Sequence, residues 1–208
     1  WGTTFVSDNG DLYITGAQWS GFRVVRSANA ENPEQEIEWD LSSSVNLGGE
    51  IIGFGGYSCP NPVGLLGQTQ ISMDTSGGTY DGYLYVLCSV DRNSISDPCD
   101  VMFARSTNGG LSWESPKRIN DDLSTTNYQW FGTMSVAPDG RIDVIWLDTR
   151  DNPGQVMSAL YYSYSLDGGD TWTPNEKLSE SFNPHLGWPQ QEKMGDYFDM
   201  FSTAESAH

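Results

Sequence analysis

STNGGLSW at Ser106–Trp113 and SLDGGDTW at Ser165–Trp172 are the same eight-residue device used twice. In each, a serine is followed two positions later by Asn108 or Asp167, then by a pair of glycines, and the stretch closes on Trp113 or Trp172. A short amide or carboxylate at the opening of a hairpin turn accepts backbone N–H bonds. Paired glycines supply positive φ without steric cost, and a Trp packs a large apolar face beside a sheet. The device therefore predicts a tight turn between antiparallel strands, with Asn108 and Asp167 structural rather than catalytic.

Working outward, each copy follows an apolar run, VMFAR or ALYYSY, and precedes a short run with a basic residue and a polar turn, ESPKRINDD or TPNEKLSES. Further upstream, Ile71–Arg92 and Met134–Arg150 match as strand, Asp/Gly turn, strand, then Asp and Arg. The repeating unit is thus four strands long. Tyr83–Val90, Val101–Ser106, Ile142–Leu147 and Ala159–Ser165 are rich in β-branched and aromatic residues at strand length, and no window has convincing helical periodicity. A worn copy occupies Thr3–Gly16 and Phe22–Trp39, its turn lengthened by an acidic insertion, and another opens near Gly195–Phe201. An all-β chain is expected.

Charge narrows the function classes. Only ten Lys and Arg stand against 28 Asp and Glu in 208 residues, a net charge of -18, so the clustered cations that neutralise phosphates are missing and no nucleic-acid partner is expected. No run approaches the ~18 apolar residues of a spanning helix, so membrane insertion is not expected either. A 12% aromatic content marks the acidity as the coat of a folded object, and such a coat suits an extracellular or cell-surface protein. The chain opens on Trp1 without an initiator Met, as expected of a processed protein or a piece of a longer one.

Cys88 and Cys99 flank a predicted hairpin and Cys59 sits in a Gly/Pro loop; one disulfide or three thiols both fit this spacing. Without a CxxC or a His cluster there is no zinc pattern, and no metal site is assigned. The run Glu31, Glu34, Glu36, Glu38 and Asp40 lacks the spacing of an EF-hand and reads as a solvated insertion, leaving calcium on loop aspartates possible but unassigned. No nucleophile elbow, P-loop, HExxH or dinucleotide fingerprint occurs.

The pattern S-x-D-x-G-x-x-W is carried by Ser165, Asp167, Gly169 and Trp172, and with Asn for Asp by Ser106, Asn108, Gly110 and Trp113. It resembles the Asp-box of bacterial-neuraminidase-repeat proteins, and the chain from about residue 3 onward is similar to sialidase-like β-propellers. The resemblance implies a propeller portion of four-stranded antiparallel blades at 3–47, 69–119 and 132–180, with a fourth starting at 195–208 and the boxes between third and fourth strands. It also implies a ligand face opposite the boxes, carrying 48–68, Asp91, Arg92, 120–131, Asp148, Arg150 and 181–193. There Arg92 and Arg150 either grip a ligand carboxylate or pin loops through neighbouring aspartates. Asp148, Asp122, Trp130 and Trp188 are the other expected ligand residues, with Asp121, Tyr128, Gln129, Gln190 and Glu192 nearby and His185 a loop residue; Trp130 and Trp188 either stack on a ligand or simply cover the sheet ends. The Phe/Tyr-Arg-Ile-Pro motif of true sialidases is missing, and the chain is too short for a six-bladed ring, so missing blades or a partner chain are expected. The function expected is an extracellular recognition or scaffold module for glycan or protein. The alternative is an exo-glycosidase acting on an anionic sugar.

Overall fold

The structure, a computed structural model, describes residues 1–18, 21–52, 56–92, 97–154, 156–186 and 193–208. Among them there is no helix, hence none to cross a membrane, and thirteen strands form three antiparallel sheets. The first sheet runs β1 (Thr4–Val6), β2 (Leu12–Gln18), β3 (Gly21–Ser27), β4 (Leu41–Val45) in that order. The third runs β10 (Gln129–Val136), β11 (Ile142–Asp148), β12 (Ala159–Ser165), β13 (Glu176–Lys177). The middle sheet holds β5 (Glu50–Ile51), β6 (Gln70–Met73), β7 (Leu84–Arg92), β8 (Asp97–Ser106) and β9 (Lys117–Arg118). Its fifth strand departs from the expected four: β7 is long enough that Leu84–Leu87 pairs with β6 while Val90 and Asp91 pair with β5.

Burial explains the sequence patterns. Along β12, Ala159, Tyr161, Ser163 and Ser165 are buried and the residues between them are not, the period of two of a sheet packed on one face. In β7 every residue from Leu84 to Val90 is buried, because the middle sheet is covered on both faces. Leu84, Val86, Cys88 and Val90 meet Tyr13, Phe22 and Val24 of the first sheet. Tyr85 and Leu87 meet Val144, Trp146 and Tyr161 of the third. The leading strands β1, β6 and β10 lie side by side. This alternation also places Cys88 and Cys99 on opposite faces of the hairpin, so the disulfide option falls away and all three cysteines are buried free thiols. Burial pushes the Cys88 thiol up to about 12 and raises Cys99 and Cys59 as well, so none is a nucleophile at neutral pH.

The two Gly-rich turns share one hydrogen-bond scheme. Ser106 Oγ accepts from Gly110 N at 2.9 Å and Asn108 Oδ1 accepts from Ser112 N at 3.0 Å. In the other turn, Ser165 Oγ accepts from Gly169 N at 2.9 Å and Asp167 Oδ1 from Thr171 N at 2.8 Å. Each turn also fastens its sheet to the one before. Trp113 Nε1 donates to Ser43 Oγ at 3.0 Å, and Trp172 packs edge-on against Phe103, centroids 5.2 Å apart. Arg105 and Lys117 donate to the carbonyls of Gly168 and Gly169, each at 2.9 Å. The lengthened turn of the first sheet keeps the opening of the scheme: Ser27 Oγ donates to Asn29 Oδ1, which also accepts from Glu38 N and so closes the base of the acidic insertion. Its Trp39 is half exposed and does not repeat the packing of Trp113 and Trp172.

Candidate functional site at the loop face

In all three sheets the strand directions put the turns 28–40, 107–116 and 166–175 at one end, so the segments 46–52, 56–69, 119–128, 149–154, 156–158 and 178–186 lie at the other. A separate apolar cluster sits beneath these loops, built from Cys59, Leu65, Leu66, Cys99, Trp130, Phe131 and Leu147. It forms because β10 breaks register between Trp130 and Thr133, where Phe131 adopts φ 56. For a bulky residue that conformation costs about 1–2 kcal/mol, and it persists because its surroundings fix it. Phe131 N donates to Leu66 O at 2.8 Å, and its buried ring stacks on Phe198 at 5.8 Å. Trp130 is fully buried with Nε1 donating to Ser158 Oγ at 3.1 Å. Its ring is packed within the cluster rather than open to solvent, which fits the covering of a sheet end, one of the two readings its sequence allows.

Over this cluster the loops are bolted to one another. Asn61, fully buried between Pro60 and Pro62, donates from Nδ2 to Leu65 O at 2.7 Å and to Gly195 O at 2.8 Å, and accepts from Met194 N at 3.1 Å. Asp196 Oδ1 accepts from Leu65 N at 3.3 Å and its carboxylate pairs with Lys193 at 2.8 Å. His185, a loop residue as expected, donates from Nε2 to Cys59 O at 2.9 Å. These pinned segments present Tyr57, Leu186 and Tyr197 to solvent at 81%, 81% and 70% exposure. Trp188, Gln190 and Glu192 lie outside the described residues.

The arginines on this face are engaged with the chain. Arg150 donates from Nε to Asp148 Oδ2 at 2.8 Å, from NH1 to Asp121 Oδ1 at 2.6 Å and from NH2 to Asn175 Oδ1 at 3.0 Å. Its guanidinium also lies 4.5 Å from the Tyr161 ring centroid. Burial opposes the Arg150 charge, but the bonds and charges of Asp148, Asp121 and Asp122 outweigh it and hold the pKa above normal. Asp148, fully buried, is pushed up by burial and only partly brought back by Arg150 and Trp146. Gln129 is buried too, donating to Asp148 Oδ1 at 3.2 Å. Arg92 donates to Asp100 Oδ2 at 2.9 Å, and Asp100 also takes Asn120 Nδ2 at 2.6 Å and pairs with Arg118 at 3.5 Å.

Beside Asp100 lies a buried carboxylate with no ion pair among the described residues. Asp97 is 1% exposed, and burial followed by the charges of Asp100 and Asp122 pushes it up to about 6. Its Oδ2, together with Asp122 Oδ2 and Asn127 Oδ1, is buried with no hydrogen-bond partner among the described residues. Among the described residues no group of three or more Asp, Glu, His or Cys is placed to hold a metal ion.

No family model matches the chain, and no curated protein does. Solved structures do. The GH93 α-L-arabinofuranosidase of Fusarium graminearum, complexed with arabinobiose, is 13% identical with a TM-score of 0.54, over 85% of this chain and 47% of that one. The same enzyme with an iminosugar inhibitor gives 13% and 0.53, over 86% and 48%. A Hadza microbial sialidase, 17% identical over 83% of this chain and 34% of its own, has a TM-score of 0.42 and adds nothing to the fold assignment. The chain therefore spans about half the length of the arabinofuranosidase it matches. At this identity the likeness speaks for fold alone: the chain is an all-β protein of antiparallel sheets with β-propeller neighbours.

Proposed function

We propose that this chain is a propeller unit that recognises carbohydrate on its loop face, in an extracellular or cell-surface setting. The observation that carries the reading is the pair of exposed tyrosines, Tyr57 and Tyr197, on loops locked together through Asn61 and Asp196. A sugar ring stacks its C–H face on an aromatic ring, and a platform on rigid supports loses little entropy on binding. On this reading the turns at 106–113 and 165–172 are Asp-boxes that join blades and take no part in binding. The three sheets are three blades, residues 195–208 begin a fourth, and further blades, from the same polypeptide or a partner, complete the ring.

A glycan microarray followed by titration calorimetry tests this, with arabinobiose as the first ligand because it is bound in the enzyme of like fold. Tyr57→Ala and Tyr197→Ala should each weaken binding roughly tenfold, the loss of about 1.4 kcal/mol of stacking, with unchanged melting temperature. Wild-type protein that binds no glycan, or variants that bind as well as wild type, would overturn the proposal.

A further inference from the structure

The loop face is poor in free positive charge to a degree that selects among sugars, provided that it is the carbohydrate site proposed above. Nine of the ten Lys and Arg are ion-paired with carboxylates of the chain, and the tenth, Arg23, donates to Ser42 Oγ at 2.8 Å. We infer that the face takes an uncharged glycan and rejects one bearing a carboxylate, because each cation on it is already matched by an acid of the chain.

Arginine grips a carboxylate most strongly through two parallel N–H groups along one edge of the guanidinium. In Arg150 the Nε and NH2 edge is taken by Asp148, at 2.8 Å from each nitrogen, and NH1 is taken by Asp121. In Arg92 the Nε is buried and has no partner among the described residues, so a ligand cannot reach that edge, and NH1 belongs to Asp100. Arg118 is divided between Asp100 and the carbonyl of Asp122, at 2.7 Å from the latter, and Lys193 is held by Asp196.

The acids outnumber the cations that serve them. Asp100, Asp121, Asp122 and Asp148 share Arg92, Arg118 and Arg150, and Asp97 beside them has no salt bridge among the described residues. A ligand carboxylate approaching this rim would meet a surplus of like charge, whereas a neutral sugar meets none.

The experiment compares matched pairs on one array and in calorimetry: arabinose- and galactose-terminated oligosaccharides against their uronate- and sialic-acid-terminated counterparts, each at 50 and 500 mM NaCl. The inference expects the neutral member of each pair to bind at least tenfold more tightly, with an affinity that hardly changes with salt. Preference for the acidic member, weakened by salt and lost in Arg92→Ala, would overturn the inference while leaving the carbohydrate reading standing. Binding of neither member, with Tyr57→Ala indistinguishable from wild type, would remove the carbohydrate reading and the inference together.

Discussion

Gly110 and Gly169 hold the same place in the two Gly-rich turns, at φ +87 and +85, yet they face different neighbours. A Cβ on Gly110 would touch Leu84 Cδ1 at 3.4 Å, an ordinary contact. A Cβ on Gly169 would lie 2.5 Å from Phe103 Cε1, and that ring is 1% exposed, stacked on Tyr85 and edge-on to Trp172. Gly110→Ala should therefore cost only the backbone strain of a left-handed alanine, about 1–2 kcal/mol. Gly169→Ala should add the overpacking of a ring with nowhere to move, about 1–3 kcal/mol more. Gly109→Ala, at φ +68 with nothing within 4 Å of its Cβ, reports the strain by itself. In urea unfolding the Gly169 variant should lie below the other two, which should agree with each other. The additional loss corresponds to roughly 2–12 °C in melting temperature for a chain of this size. A Gly169 variant as stable as the Gly110 variant would show that the turn of the third sheet is not wedged against Phe103, and that its role in joining the sheets has been misjudged.

Two further outcomes follow from ion pairs. Arg150→Ala should destabilise by about 3–5 kcal/mol, because Asp148 is left buried with an uncompensated charge; denaturant midpoints check this, and Arg150→Lys should recover little of the loss since it cannot span Asp148, Asp121 and Asn175 at once. Asp170 is held below the usual carboxylate range by Arg105 and then Lys117, so its stabilising contribution is present above the unfolded value of 3.8 and is lost as pH falls through the lower folded value. Asp170→Asn should therefore be less stable than wild type at pH 7, with the gap closing under acid; a gap that widened on acidification would contradict that sign.

The strands were legible because their pattern is local. Ala159–Ser165 is β12 residue for residue, and Ile142–Leu147 falls one residue short of β11. The extra strand β5 was not legible, since two residues at Glu50–Ile51 carry no periodicity and join the sheet only because β7 extends past β6. Site residues fared differently for the same reason. Arg92 and Arg150 follow aspartates in sequence, which suggested both a ligand grip and a local pin, and the structure adds partners at Asp121 and Asn175, 29 and 25 residues from Arg150. For Trp130 the sequence leaves ligand stacking and sheet covering both open, because nothing in its neighbours announces the bulge that turns it inward. Tyr57 and Tyr197 lie in irregular loops, where aromatic residues have no periodic signal; the flanking prolines of Asn61 were the one available hint that this loop is rigid.

Aromatic residues on this chain divide by what supports them rather than by type. Tyr161 lies beneath Arg150 and donates its hydroxyl to Asp151 at 3.1 Å, so both its ring and its polar tip are used within the fold. Tyr57 belongs to a loop whose backbone is fixed through the carbonyl of Cys59 and the side chain of Asn61, leaving its own ring 81% exposed. Large apolar area that is neither buried nor loose is what a binding surface needs, since ordering costs are met before the ligand arrives. Rigidity at the loop face thus comes from polar contacts between distant segments, while the sheets below depend on apolar alternation. Loop residues outside those contacts can change without disturbing the sheets. Substitutions at Tyr57, Leu186 or Tyr197 should alter what is bound and leave the fold intact, whereas Asn61→Ala, which strips three hydrogen bonds from a fully buried position, should unlock the loops and weaken every ligand alike.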